Sequence, residues 1–314
     1  MNMNNLVLIT DNNYCLPTIV AVQSFVKNAD KQKMWCVNIL CDNVKEENKK
    51  MFSVMKSENV EIKLIDVDSS SYNGLEKSYS KVSKASLLKF SIADLLPNIE
   101  TVLYIDGDVI VRKDISDIFE INLKDNYAAV IKDGPKDKVP GGKEHSFYGE
   151  SGYFNSGVMY LNLRKMREDN IPKKLIDYRL NGYNYFMDQD TFNVVFNGNV
   201  IYLSVIYDFM LHLISYRNES FSLKQLIDFY ELEEYLTIDA LFNDVKIFHY
   251  TFDKPWKYFD VPFNEIWMDY YYSSPLKAHS LNRKSYTTVM YNAKSHIWGR
   301  KIASLFKLFI KPKS

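Results

Sequence analysis

Alternation between short apolar runs and amphipathic stretches in the first 65 residues constrains the fold more than any other feature of this sequence. The apolar runs lie at residues 6–10, 35–40 and 60–65, and the amphipathic stretches between them cover residues 17–26 and 44–56. Short apolar runs are typical of buried strands, and stretches with a helical period are typical of helices. This order predicts parallel strands with right-handed crossovers, and therefore an α/β chain whose mostly parallel central sheet is flanked by helices.

The first predicted strand ends in a polar loop. It runs through Thr10 into Asp11-Asn12-Asn13-Tyr14. Sheets of this type bind nucleotides and other ligands beyond the carboxyl ends of their strands, which is where this loop lies. The chain has no Gly-x-Gly-x-x-Gly motif and no Walker-type lysine loop, so dinucleotide and P-loop modes of binding are disfavoured.

A further apolar run, residues 102–111, predicts one strand that bears Asp106-Gly107-Asp108 in its middle. Burial of two unpaired carboxylates costs on the order of several kcal/mol unless a cation neutralises them or hydrogen-bond donors contact them. Side chains two residues apart on a strand point to one side, and Gly107 allows a ligand to approach the backbone. One interpretation is a hard-cation site that holds phosphate oxygens. The other is a surface turn, because Asp-Gly is common in turns.

The formal net charge of zero conceals an uneven distribution. Residues 270–314 contain nine basic side chains and no acidic one, so residues 1–269 carry a net charge of −9. Within this tail, Trp298, Ile302, Leu305 and Phe309 recur at spacings of 4, 3 and 4, which predicts a basic amphipathic helix. Such a helix favours an anionic membrane surface, and a helix packed on its own domain is the alternative.

The cysteines and the first residues indicate the compartment. Cys15, Cys36 and Cys41 are few and odd in number, which is typical of a reducing compartment. The sequence shows neither a signal peptide nor a run of about 18 apolar residues that could span a membrane. We therefore expect a cytoplasmic protein that lies peripherally on the inner face of the cytoplasmic membrane, and no nucleic-acid partner.

Six blocks in a fixed order resemble glycosyltransferase family 8, which includes bacterial galactosyl- and glucosyltransferases and the glycogenins. The blocks cover about residues 5–257, and the resemblance rests on their order because an Asp-x-Asp motif alone is weak. They are Thr10-Asp11-Asn12-Asn13-Tyr14, residues 89–105 with Leu95-Leu96-Pro97, Asp106-Gly107-Asp108, Phe154-Asn155-Ser156-Gly157-Val158, Asp188-Gln189-Asp190, and His249-Tyr250-Thr251 with Lys254-Pro255-Trp256.

The resemblance implies a GT-A fold with a Rossmann-like sheet, a UDP-hexose donor, Mn²⁺ or Mg²⁺, and transfer with retention at the anomeric carbon. Matched residue by residue, Asp106, Asp108 and His249 would bind the metal. The residues expected to bind the donor are Thr10, Asp11, Asn13, Tyr14, Lys89, Asp106, Gly107, Asn155, Ser156, Asp188, Gln189 and Lys254. We expect a catalytic domain over residues 1–269 (nucleotide-sugar part about 1–112, acceptor part about 113–269) and a basic amphipathic region over residues 270–314.

The chemistry of these residue types agrees with the implied roles. Two carboxylates and an imidazole leave coordination sites for two phosphate oxygens, and Lys254 would stabilise the departing diphosphate. The expected catalytic group is Asp188, Gln189 and Asp190. Gln189 is a poor nucleophile because it is uncharged, so we favour same-face attack, in which the leaving phosphate takes the acceptor proton. If a covalent intermediate forms, Asp190 is the candidate nucleophile.

Three positions depart from the family pattern. Lys89 replaces the usual arginine and lacks its fork geometry. Phe252 stands where a glycine often follows the metal histidine, and the step from His249 to Lys254 appears one residue short. Taken alone, His249 would be a buried structural histidine and Asp188 a helix N-cap.

Two other functions are weighed against glycosyl transfer. A strand that ends in Asp-x-Asp also opens haloacid-dehalogenase-like phosphohydrolases, although there the motif usually follows the first strand. A non-catalytic nucleotide-sugar-binding protein is the second alternative. Glucose and galactose differ at one hydroxyl, so the sequence does not separate these donors. The expected acceptor is a glycan, glycolipid or glycoprotein of the bacterial cell surface, such as lipooligosaccharide, capsule or a wall polymer.

Overall fold

A computed structural model describes residues 3–73, 75, 83–134, 152–181, 186–214, 222–251 and 253–285 of the chain. Within these residues the strands form one seven-stranded and one three-stranded sheet. The strands are β1 (Met3–Asp11), β2 (Met34–Asp42), β3 (Val60–Val67), β4 (Thr101–Ile105), β5 (Val109–Val111), β6 (Ala128–Lys132), β7 (Phe154–Asn162), β8 (Val200–Tyr202), β9 (Phe209–Met210) and β10 (Ile247–His249).

Helices cover both faces of the larger sheet. The α-helices are α1 (Cys15–Asn28), α2 (Glu46–Ser53), α3 (Ile92–Leu95), α4 (Leu163–Glu168), α5 (Ile171–Asn181), α6 (Met187–Phe196), α7 (Leu223–Tyr230), α8 (Ile238–Asp244) and α9 (Asn264–Ser273). Six short 3₁₀ helices also occur in the described part of the chain: Ser69–Tyr72, Lys84–Ser91, Ser116–Glu120, Val205–Tyr207, Leu211–Leu213 and Pro275–Ala278.

The larger sheet has the strand order β3-β2-β1-β4-β7-β6-β8. Strands β3, β2, β1 and β4 are mutually parallel, and β7 runs antiparallel between β4 and β6. The β1–β2 register runs from Met3 opposite Met34 to Asp11 opposite Asp42, so the two strands end at the same edge. The predicted α/β class with a mostly parallel sheet flanked by helices is therefore confirmed.

Two apolar clusters fill the two faces of this sheet. Along β1, Leu6 and Leu8 belong to one cluster, whereas Val7 and Ile9 belong to the other. The first cluster includes residues of α1, α9 and the smaller sheet, and the second includes residues of α5 and α6. A sheet covered on both faces needs apolar side chains at every position, which explains why its strands are continuous apolar runs.

The apolar run at residues 102–111 is not one strand, contrary to the sequence prediction. β4 pairs with β1 and β7 in the larger sheet, whereas β5 pairs with β10 in the smaller one. Asp106-Gly107-Asp108 forms the link between them. The run looks continuous in the sequence because both pieces are buried, and only long-range pairing reveals the break.

Two helix predictions also need correction. The sequence of residues 83–96, which ends before Pro97, predicts one helix, but the structure forms a 3₁₀ helix, Lys84–Ser91, followed by the short α3. Asp188 is not the N-cap of its helix, because α6 begins at Met187 and its N-cap is Phe186.

Two sequence predictions concern residues outside the described part of the chain. These are the amphipathic helix with Trp298 and Phe309 and the substitution at Phe252. Among the described residues, no helix has both the length and the apolarity that a bilayer crossing requires.

Candidate active site

Three metal-ligand side chains converge where the larger sheet passes into the smaller one. One ligand atom from each of Asp106, Asp108 and His249 lies within 4.8 Å of the others. His249 Nε2 is 3.3 Å from Asp108 Oδ1 and 3.9 Å from Asp106 Oδ2. The antiparallel pairing of β5 with β10 sets His249 opposite Val109, directly beside Asp108. Strand pairing therefore assembles the group that the family resemblance implied.

This group fits a divalent cation. Asp108 Oδ1 is buried and has no hydrogen-bond partner in the described part of the chain. A Cβ atom at Gly157 would lie 2.4 Å from His249 Cε1 and 2.9 Å from Asp106 Oδ2, so a side chain there would fill the space beneath these ligands. Two carboxylates and one imidazole are suitable ligands for Mn²⁺, and the carboxylates suit Mg²⁺.

The imidazole of His249 is held between carboxylates on both of its nitrogens. Its Nδ1 lies 3.0 Å from Asp208 Oδ1, on the side opposite Nε2. Burial disfavours the imidazolium, but Asp208 and Asp108 outweigh it and raise the pKa of His249 to about 10. Burial also raises the pKa of Asp208, with His249 acting in the opposite direction. A cation that binds Nε2 must therefore displace a proton.

Lys254 pairs with one of the expected metal ligands. Its ammonium contacts Asp108 Oδ2 and donates a hydrogen bond of 2.6 Å to the carbonyl oxygen of Tyr250. Burial disfavours the Asp108 carboxylate, but Lys254 and His249 outweigh it and hold the pKa of Asp108 far below its usual range. Asp108 is therefore ionised, and a cation from the chain itself compensates its charge.

Lys89 is buried beneath the site and bridges two carboxylates. Its Nζ lies 2.7 Å from Asp188 Oδ2, 3.1 Å from Asp106 Oδ1 and 3.4 Å from the carbonyl oxygen of Ser156. The ring centroid of Tyr104 is 4.9 Å away. Burial disfavours the ammonium, but Asp106 and Asp188 outweigh it and keep the pKa of Lys89 above its usual range. Lys89 thus holds together residues expected at the metal and at the sugar.

The first turn of α6 is fixed to the start of β7 by side-chain hydrogen bonds. Gln189 Oε1 accepts from Asn155 Nδ2 at 3.1 Å and from the Ser156 amide at 3.3 Å. Gln189 Nε2 donates to Asp133 Oδ2 at 2.7 Å. Ser156 Oγ donates to Asp188 Oδ2 at 2.9 Å. The structure therefore brings the four predicted residues Asn155, Ser156, Asp188 and Gln189 into one network.

Asp190 holds the turn that precedes α6. Its Oδ1 accepts a hydrogen bond of 2.5 Å from the Tyr153 hydroxyl, and its Oδ2 accepts one of 2.8 Å from the Phe186 amide. Both oxygens of this buried carboxylate are thus engaged with the protein. Its role as a nucleophile stays a prediction.

The loop after β1 is shaped by Asp11. Oδ1 of Asp11 accepts from the amides of Asn13 and Tyr14, each at 2.9 Å, and its Oδ2 accepts from Ser83 Oγ at 2.5 Å. Asn13 is exposed, whereas Thr10 is buried and hydrogen-bonds Thr18 Oγ1 at 3.2 Å. Among the predicted residues of this loop, Asn13 is the most open to a ligand.

Tyr14 connects this loop to the Asp-Gly-Asp link. Its ring stands nearly perpendicular to that of Trp256, with centroids 5.8 Å apart. A Cβ atom at Gly107 would lie 3.1 Å from the Tyr14 ring and 2.4 Å from Thr18 Oγ1. Gly107 is therefore needed for close packing of the link against α1.

Comparison with known proteins identifies the family. The profile described as Glycosyl transferase family 8 matches residues 5–260. The chain belongs to glycosyltransferase family 8. Its Asp-Gly-Asp motif follows the fourth strand, not the first, which together with the family match excludes the phosphohydrolase alternative.

Bacterial glycosyltransferases are among the curated relatives of this chain. The chain is 25% identical over 304 residues to a lipopolysaccharide 1,2-glucosyltransferase of Escherichia coli, covering 90% of this chain and 85% of that protein. It is 24% identical over 271 residues to the glycosyltransferase GlyF of Streptococcus pneumoniae, covering 85% of this chain. The chain spans between 61% and 63% of the length of three curated relatives, among them GlyF.

Solved structures share the fold. The galactosyltransferase LgtC, in complex with donor and acceptor sugar analogues, superposes with a TM-score of 0.67 at 23% identity, over 86% of this chain and 96% of that one. The bifunctional glycosyltransferase WbbM superposes with a TM-score of 0.71 at 21% identity, over 87% of this chain and 50% of that one. The GT-A fold expected for family 8 is confirmed.

Sequence reasoning missed three residues of the candidate site. Asp133 follows β6 and accepts from Gln189, and its position at the end of a strand could have revealed it. Gly157 was part of a quoted block, but its close approach to His249 was not foreseen. Asp208 lies in a segment without any motif, and no sequence signal points to it.

Proposed function

We propose that this chain is a retaining glycosyltransferase that moves a hexose, galactose or glucose, from a UDP-sugar to a glycan, glycolipid or glycoprotein of the bacterial cell surface. The observation that carries the proposal is the cation-binding geometry of Asp106, Asp108 and His249. The network of Asp188 and Gln189 is tied to this group through Lys89. A glycosyl transfer needs this pairing of a diphosphate anchor with a sugar-binding surface.

The residues have distinct tasks in the proposed reaction. Asp106, Asp108 and His249 would hold Mn²⁺ or Mg²⁺, and the bound cation would supply positive charge to the diphosphate oxygens. Lys254 would exchange its contact with Asp108 for a phosphate oxygen and stabilise the charge that grows there as the sugar leaves. The exposed Asn13 and the ring of Tyr14 would contact the nucleoside.

The sugar would lie against the first turn of α6. A carboxylate such as Asp188 can accept hydrogen bonds from two sugar hydroxyls. Gln189 is fixed by its hydrogen bonds to Asn155 and Asp133, so it can orient the sugar but carries no charge with which to attack. Because Asp190 has both oxygens engaged, we favour attack of the acceptor on the face from which the diphosphate departs.

A cytoplasmic site at the inner face of the membrane is part of the proposal. Nucleotide sugars and the acidic body are compatible with the cytoplasm, and the basic residues after 270 would attract anionic lipids. The similarity to an Escherichia coli lipopolysaccharide 1,2-glucosyltransferase supports a cell-surface glycan as the acceptor class.

The decisive experiment measures UDP release from UDP-glucose, UDP-galactose and N-acetylated UDP-hexoses, with and without Mn²⁺ and a sugar acceptor. We expect Mn²⁺-dependent release from one of the two simple hexose donors and near-complete loss in Asp108→Asn. Asp117→Asn is the matched control, because Asp117 contacts Tyr207 and Lys246 and should leave release unchanged. Binding of UDP-hexose without any turnover would instead indicate a nucleotide-sugar-binding protein.

A further inference from the structure

We infer that Asp208 is a positioning residue for the cation site: its carboxylate holds Nδ1–H of His249, so that Nε2 faces the space between Asp106 and Asp108. The inference rests on the cation site of the proposed function. It adds to that site a residue that binds no ligand itself but determines how the imidazole is presented.

The surroundings of Asp208 point to this single task. The side chain has no exposed surface, and its Oδ1 lies 3.0 Å from His249 Nδ1. Its Oδ2 is buried and has no hydrogen-bond partner among the residues that the structure describes. A carboxylate with one partner is costly to bury, on the order of several kcal/mol, so a position that served packing alone would favour an apolar residue.

Strand pairing sets Asp208 beside the imidazole. Asp208 precedes β9, which pairs in parallel with β10 and places Met210 opposite His249. The Asp208 amide donates a hydrogen bond of 3.1 Å to the carbonyl oxygen of Val205, which fixes the turn before the strand. The backbone therefore restrains both members of the pair before any cation binds.

The chemistry of a metal-binding histidine explains why a carboxylate is needed. Nε2 can bind a cation when the remaining proton is on Nδ1, and a carboxylate at Nδ1 fixes that tautomer. The same contact sets the rotation of the ring and makes Nε2 a stronger donor. Here Nε2 already points between Asp108 Oδ1, at 3.3 Å, and Asp106 Oδ2, at 3.9 Å.

Asp117 provides a matched control from the same region. Within the described ranges, one of its oxygens also lacks a hydrogen-bond partner, but the other contacts the Tyr207 hydroxyl, at 2.7 Å, and the ammonium of Lys246. Tyr207 is the direct neighbour of Asp208 in the sequence. Asp117→Asn thus weakens a carboxylate contact to the same segment without touching His249.

The experiment measures the dissociation constant of Mn²⁺ by electron paramagnetic resonance, without nucleotide, for the full chain and its variants. Expected is a weakening of about 10- to 100-fold in Asp208→Ala. Asp208→Asn should weaken binding less, because its amide oxygen can still accept from Nδ1–H. Asp117→Asn should match the wild type, and circular dichroism should show that every variant compared is folded.

A second readout observes the hydrogen bond directly. In ¹⁵N-histidine-labelled protein saturated with diamagnetic Mg²⁺, the Nδ1–H proton of His249 should appear far downfield, and its signal should be missing from His249→Gln. Asp208→Asn should move this proton upfield, whereas Asp117→Asn should leave it in place. This readout tests the positioning role of Asp208 even if Asp208→Ala does not fold.

The outcomes separate the two proposals. Equal Mn²⁺ affinity in Asp208→Ala and Asp117→Asn, or an unmoved proton in Asp208→Asn, would overturn the positioning role and leave the cation site intact. No Mn²⁺ binding by the wild type, or unchanged binding in His249→Gln, would overturn the cation site and the positioning role together.

Discussion

At the residue scale, the proposed function would make Lys254 and a divalent cation compete for Asp108. The ammonium sits on Asp108 Oδ2 while Oδ1 faces His249. A unit charge a few ångströms away opposes a second cation by on the order of 4 kcal/mol at intermediate dielectric, before relaxation. In the proposed reaction, the lysine would therefore keep the free site from holding a cation tightly and would become available when a diphosphate binds.

This competition predicts opposite effects of Lys254→Met on two ligands. Affinity for Mn²⁺ without nucleotide should rise, by roughly tenfold, because a repelling charge is removed. Affinity for UDP in saturating Mn²⁺ should fall by a similar factor, because a phosphate-binding cation is lost. Isothermal titration calorimetry with each ligand measures both.

Lys257→Met is the control for Lys254→Met. Lys257 is exposed and three residues away, so its variant removes the same charge from the surface without uncovering Asp108. Mn²⁺ binding that is weaker in Lys254→Met than in Lys257→Met would contradict the competition.

At the scale of elements, the side chain of Lys89 contacts residues from three segments other than its own. It extends from the 3₁₀ helix Lys84–Ser91 to the residue after β4, to β7 and to the first turn of α6. Its ammonium is the shared partner of Asp106 and Asp188. One buried charge thus links the candidate cation-binding residue Asp106 to the first turn of α6, in addition to the hydrogen bonds that hold α6 to β7.

Replacement of Lys89 should cost stability as well as activity. Lys89→Met leaves the buried Asp188 and the partly buried Asp106 without their common partner, which should lower the free energy of unfolding by about 3 kcal/mol. Lys89→Arg keeps the charge and should lower the free energy of unfolding by a smaller amount. Urea denaturation followed by circular dichroism measures the difference.

Lys84→Met serves as the comparison for Lys89→Met. Lys84 lies on the same 3₁₀ helix and hydrogen-bonds Asn73 Oδ1 at the surface. Exposed contacts of this kind contribute little, so its variant should unfold close to the wild type. Similar decreases in the free energy of unfolding for the two variants would show that the contacts of Lys89 contribute no more to stability than an exposed contact does.

The elements that the sequence predicted well are those with a local signal. β1, β2 and β3 are continuous apolar runs separated by amphipathic stretches, so their order and direction follow from periodicity. The break between β4 and β5 has no such signal, because both pieces are buried and only their different partners separate them. The 3₁₀ geometry of Lys84–Ser91 was missed for a similar reason, since its spacing resembles an α-helix.

The candidate site shows the same division. Asp106, Asp108 and His249 were proposed because the family resemblance supplied a partner far away in the sequence. Asp208 could not be found, because an isolated aspartate before a two-residue strand resembles any loop residue. Its importance appears only when β9 pairs with β10.

At the scale of the whole molecule, the charge is divided between an acidic body and a basic tail. Residues 270–314 carry nine basic side chains, and the rest of the chain has a net charge of −9. We predict that the full chain sediments with phosphatidylglycerol vesicles and not with phosphatidylcholine vesicles. Replacement of Lys301, Lys307 and Lys311 by Glu should abolish this binding, as should high salt.

A matched triple variant tests whether position or total charge controls membrane binding. Lys31, Lys50 and Lys56 are exposed on the body, and their replacement by Glu changes the net charge equally. That variant should still sediment with anionic vesicles. Equal loss of binding in both triple variants would indicate a nonspecific charge effect.

The buried thiols predict a dependence of stability on alkaline pH. Burial raises the pKa of Cys15 to about 11 and that of Cys41 to about 12, whereas an unfolded thiol titrates near 8.5. The folded state thus keeps protons that the unfolded state loses. This contribution to stability is complete below about pH 8.5 and is lost as the pH rises towards 11–12.

Urea midpoints measured between pH 8 and pH 10.5 should therefore decrease, and Cys15→Ala with Cys41→Ala should flatten that decrease. At pH 8, a thiol reagent should react with all three cysteines in urea and with none in the native protein. Rapid reaction of the native protein would contradict the burial of these thiols.

The link Asp106-Gly107-Asp108 has a thermodynamic consequence. Asp106 follows β4 of the larger sheet, whereas Asp108 precedes β5 of the smaller sheet and His249 is the last residue of its strand β10. A cation bound by all three side chains would link the two sheets and would be released on unfolding. The free energy of unfolding would then increase with the free cation concentration, by about 2.7 kcal/mol at one hundred times the dissociation constant. The stability of the folded protein in the cell would then depend on the concentration of the free cation.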